Sequence, residues 1–388
     1  MPRLLYLFAL CNLVIGTGAF VISGILAPIG ADLNVSVAAA GQAMTAYALA
    51  TAVLAPIALI VTGGWPRRRA LCFAMIVFAA GNLLCAFATT LPALLIGRVL
   101  MGVGAMFTPI AAGITVALVE PARRGRALSL VFLGISLSYV IGVPLGAWLG
   151  LRYGWQVPVT LVVAASLVGV ALLAMLLPRD IRAPGASLKN LGGVLRDPAV
   201  LWTLSLTLLY FIAIFVVFSY IGPVLQALHP MSAEKLSLTL MLFGLSGVAG
   251  TLIGGWANDH FGAQRSLTLQ LSVLGAMMLL LPLMQGSYPA MLLVLVIWGV
   301  AGFGMMTPQQ SRLATLSLVH APLLLSLNTS MLYFGTAFGA AIGGAAIGPL
   351  GFAHLAWVGV PFTVAGLFTL LISGRKAGLL KAGLDHAH

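Results

Sequence analysis

Long apolar stretches alternate with short polar punctuation from one end of this chain to the other. A bilayer-crossing helix needs about 20 predominantly apolar residues. Twelve stretches meet that need: 4–28, 40–62, 70–90, 92–118, 127–150, 155–177, 201–226, 235–257, 266–286, 289–315, 323–349 and 354–374. No strict two-residue alternation of the kind a half-buried strand shows runs through them. The pattern predicts an all-α, polytopic membrane protein of twelve transmembrane helices in two pseudo-symmetric six-helix bundles. Residues 1–177 form the N-terminal bundle, 178–200 a cytoplasmic connector, 201–374 the C-terminal bundle and 375–388 a cytoplasmic tail.

Composition agrees. Of 388 residues, 61% are hydrophobic and only 7% charged, where a soluble domain carries about 25% charged residues. Mean hydropathy is +1.12. The N-terminal apolar run is too long for a signal peptide and shows no cleavage site, so it reads as a retained first span. A net charge of +12 would suggest nucleic acid in a soluble protein. Here the placement of the basic residues decides otherwise. With the N-terminus inside, Arg3, Arg67, Arg68, Arg69, Arg123, Arg124, Arg126, Arg179, Arg182, Lys189, Arg196, Arg265, Arg375, Lys376 and Lys381 all fall on the cytoplasmic side. Only Arg152 and Lys235 fall outside. This is the positive-inside asymmetry, with both termini cytoplasmic. The basic residues then set topology and meet lipid headgroups, and no nucleic-acid partner is expected. Cys11, Cys72 and Cys85 lie in apolar spans without metal-ligand spacing. They read as packing residues, and no metal or cofactor is expected.

The two halves echo each other in order. GGW ends the second span at 63–65 and the eighth at 254–256. GVGAMFTP in the fourth span returns as GVAGFGMMTP in the tenth. The Gly-rich fifth span, GISLSYVIGVPLGAWLG, returns as TSMLYFGTAFGAAIGGAAIG in the eleventh. Parallel repeats of this kind place a solute path between two bundles.

Against that background the motifs resemble the major facilitator superfamily. More narrowly they resemble its twelve-span drug:proton antiporter branch, with the bacterial arabinose, sugar and purine efflux proteins. The cytoplasmic loop motif stands as Gly255, Asp259, Gly262 and Arg265, the fourth-span motif as GRVLMGVGA, and the fifth-span motif as GVPLGAWLG. The resemblance implies secondary active efflux by alternating access, with proton antiport, in a bacterial inner membrane. Two positions depart from it. The first-half loop, GGWPRRRAL, lacks the motif's acid and second glycine, and Ala19 stands where the efflux members carry a first-span glutamate.

Candidate residues follow. Arg98 sits about six residues into the fourth span, roughly 9 Å deep at 1.5 Å per residue. A cation there costs roughly 2.5–3.5 kcal/mol. It faces a solute cavity, or it bonds to main-chain carbonyls of a broken first helix. Asp32, at the outer mouth, is either a partner for Arg98 in proton coupling or a solvated loop acid. Coupling therefore rests on Asp32, Arg98 and the Ala19 position. Gating is assigned to Gly142, Pro144, Gly146, Gly255, Asp259, Gly262 and Arg265, with Asp259 facing the positive start of the eleventh helix. Solute-binding candidates are the mid-span polar and aromatic residues Thr17, Phe20, Gln42, Arg98, Tyr139, Tyr210, Phe211, Phe215, Phe243, Trp298, Met305, Asn328, Tyr333 and Phe334. Helix phase cannot select among them, because the spans are apolar on all sides. Such a lining suits a small amphipathic or polar solute, drug-, sugar- or nucleoside-like. Its partners would be that solute, protons as coupling ion, and lipid, around a monomer.

An uncoupled facilitator of the same fold is the second reading, favoured by the acids. Asp32, Glu120, Asp180, Asp197, Glu234, Asp259 and Asp385 all lie in loops, at span ends or in the tail. An intramembrane enzyme needs a catalytic pair at membrane depth. No lysine, histidine or carboxylate within the spans supplies one.

Overall fold

The structure, a computed structural model, describes residues 2–120, 123–178, 181, 193, 196–316 and 321–385. Most of the expected connector, including Arg179, Asp180, Arg182 and Lys189, lies outside the described residues, as do the side chains of the tail. Every span is helical. They run Arg3–Gly24, Val37–Val61, Arg67–Ala86, Leu91–Leu118, Arg124–Tyr153, Gln156–Leu176, Pro198–Phe218, Ala233–Met284, Tyr288–Leu316, Leu323–Leu350 and Leu355–Ser373. The 52-residue segment is two spans, the eighth and ninth. Gly262, at φ 77° and ψ 158°, turns the chain between them. Positive φ is cheap for a residue without Cβ. This gives twelve spans among the described residues of an all-α, polytopic membrane protein.

Five spans are broken, and proline explains each break. Proline lacks the N–H of the helical ladder and its ring collides with the carbonyl four residues earlier. The first helix gives way to a 3-10 turn at Val21–Gly24, four residues before Pro28 at its end. The fourth breaks at Ala105 and Met106, ahead of Pro109, and the tenth at Met305, ahead of Pro308. The fifth widens to a π-turn over Ser138–Gly142, ahead of Pro144. The seventh was expected to run unbroken through 226. Its helix instead ends at Phe218 and resumes over Ile221–Leu228. Pro223 stands four residues after the break at Ser219.

The chain forms two compact units. The first takes the first six spans together with Ser219–Gln226 and Pro230–Gly244, the C-terminal end of the seventh and the N-terminal end of the eighth. The second takes the rest of those two spans and the ninth to twelfth.

Candidate functional site

In the first unit, the break in the first helix frees carbonyls that would otherwise be bonded within the helix. Arg98 takes them up. Its Nη1 donates to the Gly18 carbonyl at 2.8 Å, its Nη2 to Ala19 at 2.6 Å and its Nε to Ala43 of the second span at 3.1 Å. The guanidinium lies 4.8 Å from the centre of the Tyr47 ring, and the residue is 2% exposed. The adjoining cavity measures about 10 Å³, barely space for one water. This geometry is the carbonyl-bonded alternative: a fork of donors clasping the fourth, first and second spans.

Asp32 is exposed. Its Oδ2 accepts from Trp155 Nε1 and Gln156 Nε2, each at 2.9 Å. Asp32 and Arg98 are therefore not partners here; each is bonded elsewhere.

The fifth-span glycines explain themselves by what they face. Gly142 lies against Thr17, Gly146 against Val21 and Gly150 against Ile25, while Gly134 lies against the Ala9 carbonyl. Three contacts climb one turn at a time, so the first and fifth helices pack backbone to backbone. Thr17 Oγ1 donates to the Leu13 carbonyl at 2.7 Å. Phe20 stacks on Tyr139 at 5.0 Å. Phe243 is buried in the N-terminal part of the eighth span and Gln42 is half-buried in the second.

Close packing continues onto the C-terminal end of the seventh span and the N-terminal end of the eighth. Gly222 lies against Gly24, so the two helix breaks meet, and Gly41 receives the Tyr220 ring. Gly244 lies against the Tyr139 carbonyl, and Ser237 Oγ donates to the Pro144 carbonyl at 2.9 Å. At the rim, Arg152 Nη1 and Trp148 Nε1 each donate to Glu234 Oε1 at 3.4 Å. Both members of that ion pair are more than half exposed.

In the second unit, Phe211 and Phe215 lie against Gly335 and Gly339 of the eleventh span. They stack on each other at 5.9 Å, with Tyr210 edge-on to Phe211 at 4.8 Å. Trp298 and Met305 are buried, and Tyr333 and Phe334 half-buried. Asn328 belongs to a buried polar tie: Thr207 Oγ1 donates to its Oδ1 at 2.5 Å. Gln309 Nε2 donates to Thr207 Oγ1 at 2.9 Å and to the Thr203 carbonyl at 2.6 Å. This tie joins the seventh, tenth and eleventh spans. A matching one in the first unit joins the first, fourth and fifth. There Thr108 Oγ1 donates to Asn12 Oδ1 at 2.7 Å, and Asn12 Nδ2 to the Val131 carbonyl at 2.9 Å.

In the loop after the eighth span, Asp259 accepts from its neighbour Asn258 at 3.2 Å. Residues 317–320, ahead of the eleventh helix, lie outside the described residues, and so does much of the contact expected there. Gly255 is half-buried and Arg265 exposed.

Asn12, Gln309 and the Glu234 rim were not among the expected residues. An amide inside an apolar span was the available signal for the first two. Nothing local marks Glu234, because its partners lie 82 and 86 residues away.

Known proteins agree with this arrangement. The family model described as Major Facilitator Superfamily matches residues 8–320. The Inner membrane transport protein YdhP of Escherichia coli (strain K12) is 31% identical over 369 residues, 93% of each chain. A Probable sugar efflux transporter of Mannheimia succiniciproducens is 28% identical, covering 95% of this chain and 93% of its own. A crystal structure of a D-xylose-proton symporter superposes with a TM-score of 0.78 at 16% identity, covering 95% of this chain and 96% of that one; at that identity it speaks for the fold alone. Twelve apolar spans, five of them broken near proline, the repeated motifs and a match over most of the length lead to one conclusion: the chain is a multi-pass membrane transporter and belongs to the Major Facilitator Superfamily.

Proposed function

We propose that this chain exports a small amphipathic or polar solute across a bacterial inner membrane by alternating access, with both termini cytoplasmic. The moving bodies are the two sets of six spans, 1–177 and 201–374. The outer contacts of the first unit are the closed outer gate. The observation that carries this reading is the make-up of that gate. Small residues, ring edges and one exposed ion pair hold it, and these separate at low cost. The efflux direction is supported by likeness to the Probable sugar efflux transporter and by the fifth-span glycine motif.

Arg98 holds the broken first helix in place for this motion and does not meet the solute. Within each unit the half-buried residues are the binding candidates: Thr17, Gln42 and Tyr139 in the first, Tyr333 and Phe334 in the second. Asp259 and Arg265 act at the cytoplasmic end. Cysteine labelling checks the topology: a site in the 178–198 connector reacts only from inside, and reaction from the periplasm refutes the orientation.

Proton coupling is weak or absent in this reading. All five acids whose side chains are described, Asp32, Glu120, Asp197, Glu234 and Asp259, are exposed. That observation favours the second reading, an uncoupled facilitator. The test is solute flux in proteoliposomes with and without a pH gradient. The chain as it stands should respond little. Ala19→Glu should introduce a response, because it places an ionisable carboxyl at membrane depth beside the Arg98 clasp, where such groups serve proton relays. Strong coupling that survives Asp32→Asn would overturn this account.

A further inference from the structure

The second unit carries a groove of about 440 Å³ between its eighth, ninth and tenth spans. That volume lies in the ~300–1,000 Å³ range of small-molecule sites. Its walls are apolar, with Ile253, Phe261, Leu269, Val273 and Ile297 among them. Three lining residues are polar; Ser266 Oγ is spent on the Gly262 carbonyl at 2.9 Å, which leaves two to meet an occupant. Arg265 stands at the loop end, exposed, and has no hydrogen bond or ion pair among the described residues. Gln270 lines the wall five residues further along the ninth helix, roughly 7.5 Å deeper at 1.5 Å per residue. It is 9% exposed, yet its carbonyl oxygen has no donor. An unpaired acceptor buried in an apolar wall is costly unless something supplies the missing hydrogen bond.

Three demands therefore fall on an occupant. It carries a hydrocarbon part for the walls, an anion for Arg265 at the membrane interface, and a hydrogen-bond donor between the two for Gln270. A diacyl phospholipid meets the first two demands; its glycerol oxygens are esterified and donate nothing to Gln270. A single-chain glycerophospholipid meets all three: one acyl chain, a phosphate, and a free glycerol hydroxyl next to it. Exposed cations at the cytoplasmic face favour a headgroup of net negative charge. We propose that the groove is a binding site for an anionic, single-chain glycerophospholipid, with its phosphate on Arg265 and its glycerol hydroxyl donating to Gln270.

The probe is lysophosphatidylglycerol, added to the full-length protein in a neutral detergent and read by thermal shift and by native mass spectrometry. Diacyl phosphatidylglycerol and lysophosphatidylcholine serve as comparisons. The expected result is one retained lysophosphatidylglycerol per chain and a rise in Tm of several degrees, larger than with either comparison lipid. Arg265→Gln should abolish the difference and Arg265→Lys should restore it. Gln270→Leu should bring lysophosphatidylglycerol down to the level of the diacyl lipid. Val273→Phe, a change at a half-buried wall position, should block retention. Each variant is compared with its own lipid-free Tm, so a loss of stability does not mimic a loss of binding. Equal retention of all three lipids overturns the proposal, as does retention that survives Arg265→Gln or Val273→Phe. Because the readout is lipid retention, neither solute flux nor its coupling bears on the result.

Discussion

The fourth and tenth spans are the most instructive pair of regions in this molecule. Both break ahead of a Thr-Pro step, at Thr108-Pro109 and Thr307-Pro308. Both are tied into their bundles by neutral hydroxyl–amide networks, Thr108 with Asn12 and Gln309 with Thr207. They part company further out. Aligned on the prolines, Ile297 of the tenth span stands where the fourth has Arg98. The first half holds its broken helix with a buried cation on three carbonyls; among the described residues the second shows none so placed, and its tenth-span Arg312 donates to the Ser373 hydroxyl instead. The shared part is therefore the neutral tie and the close helix seam, and the cation is a local addition to the first half.

The largest expected effect comes from removing that addition. Arg98→Leu deletes three charge-assisted bonds, each worth about 1.5–3 kcal/mol, and should lower the unfolding temperature in detergent sharply. Arg98→Lys should recover little, because an ammonium cannot span the carbonyls that the planar guanidinium reaches at once. Ile297→Val is the matched change and should cost about 0.5–1.5 kcal/mol. Equal losses at the two positions would dissolve the contrast.

Next come the seams, where the halves should behave alike. Gly134 lies against the Ala9 carbonyl, and Gly339 against the Ile212 carbonyl. Main chain cannot step aside as a side chain can, so Gly134→Ala and Gly339→Ala should each cost about 1–3 kcal/mol. Thermal unfolding of the two variants side by side measures it. A seam that tolerates the methyl in one half only would locate a second difference between them.

The neutral ties rank third. Asn12→Leu and Gln309→Leu should each cost about 0.6–1.7 kcal/mol, the scale of interhelical hydrogen bonds measured in membranes. Double-mutant cycles of Asn12 with Thr108 and of Gln309 with Thr207 would report the pair energies directly. A coupling as large as the Arg98 loss would show that the ties, and not the clasp, hold the broken helices.

The smallest effect belongs to the outer rim, which has no equivalent described in the second unit. Glu234→Gln removes the ion pair with Arg152. It should leave folding unchanged while raising the reactivity of a cysteine placed at position 237 toward reagents added from outside. Salt should imitate the substitution, since exposed pairs are screened. Unaltered reactivity under both treatments would leave the glycine contacts as the whole of the gate.

Several features of this protein were legible in the chain alone. Length and hydropathy of each span follow from the bilayer, a constraint that acts residue by residue and needs no partner. The repeats were legible as strings, but the helix breaks were not: the seventh span was expected to run unbroken past Phe218, and Pro56 and Pro361 lie inside helices that do not break. The fifth-span glycines were legible as a repeat and as gating candidates, but not as a seam against Thr17, Val21 and Ile25. The roles of individual polar residues were far less so. Arg98 carried two readings, and the choice needed the free carbonyls of a helix 80 residues away. Asp32 needed Trp155 and Gln156, from the start of the sixth span, to show what it bonds. The reason is physical. A span that is apolar all round carries no periodic signal of which face is inward, so only packing against its neighbours sets its rotation. Once the rotation is set, it decides which of Thr17, Phe211, Asn328 and Gln309 pack inside a bundle, and which partner each polar atom finds. The sequence by itself determined that twelve apolar helices cross a membrane; the tertiary structure decided which prolines break them, since Pro56 and Pro361 sit inside unbroken helices, and what each broken end is bonded to.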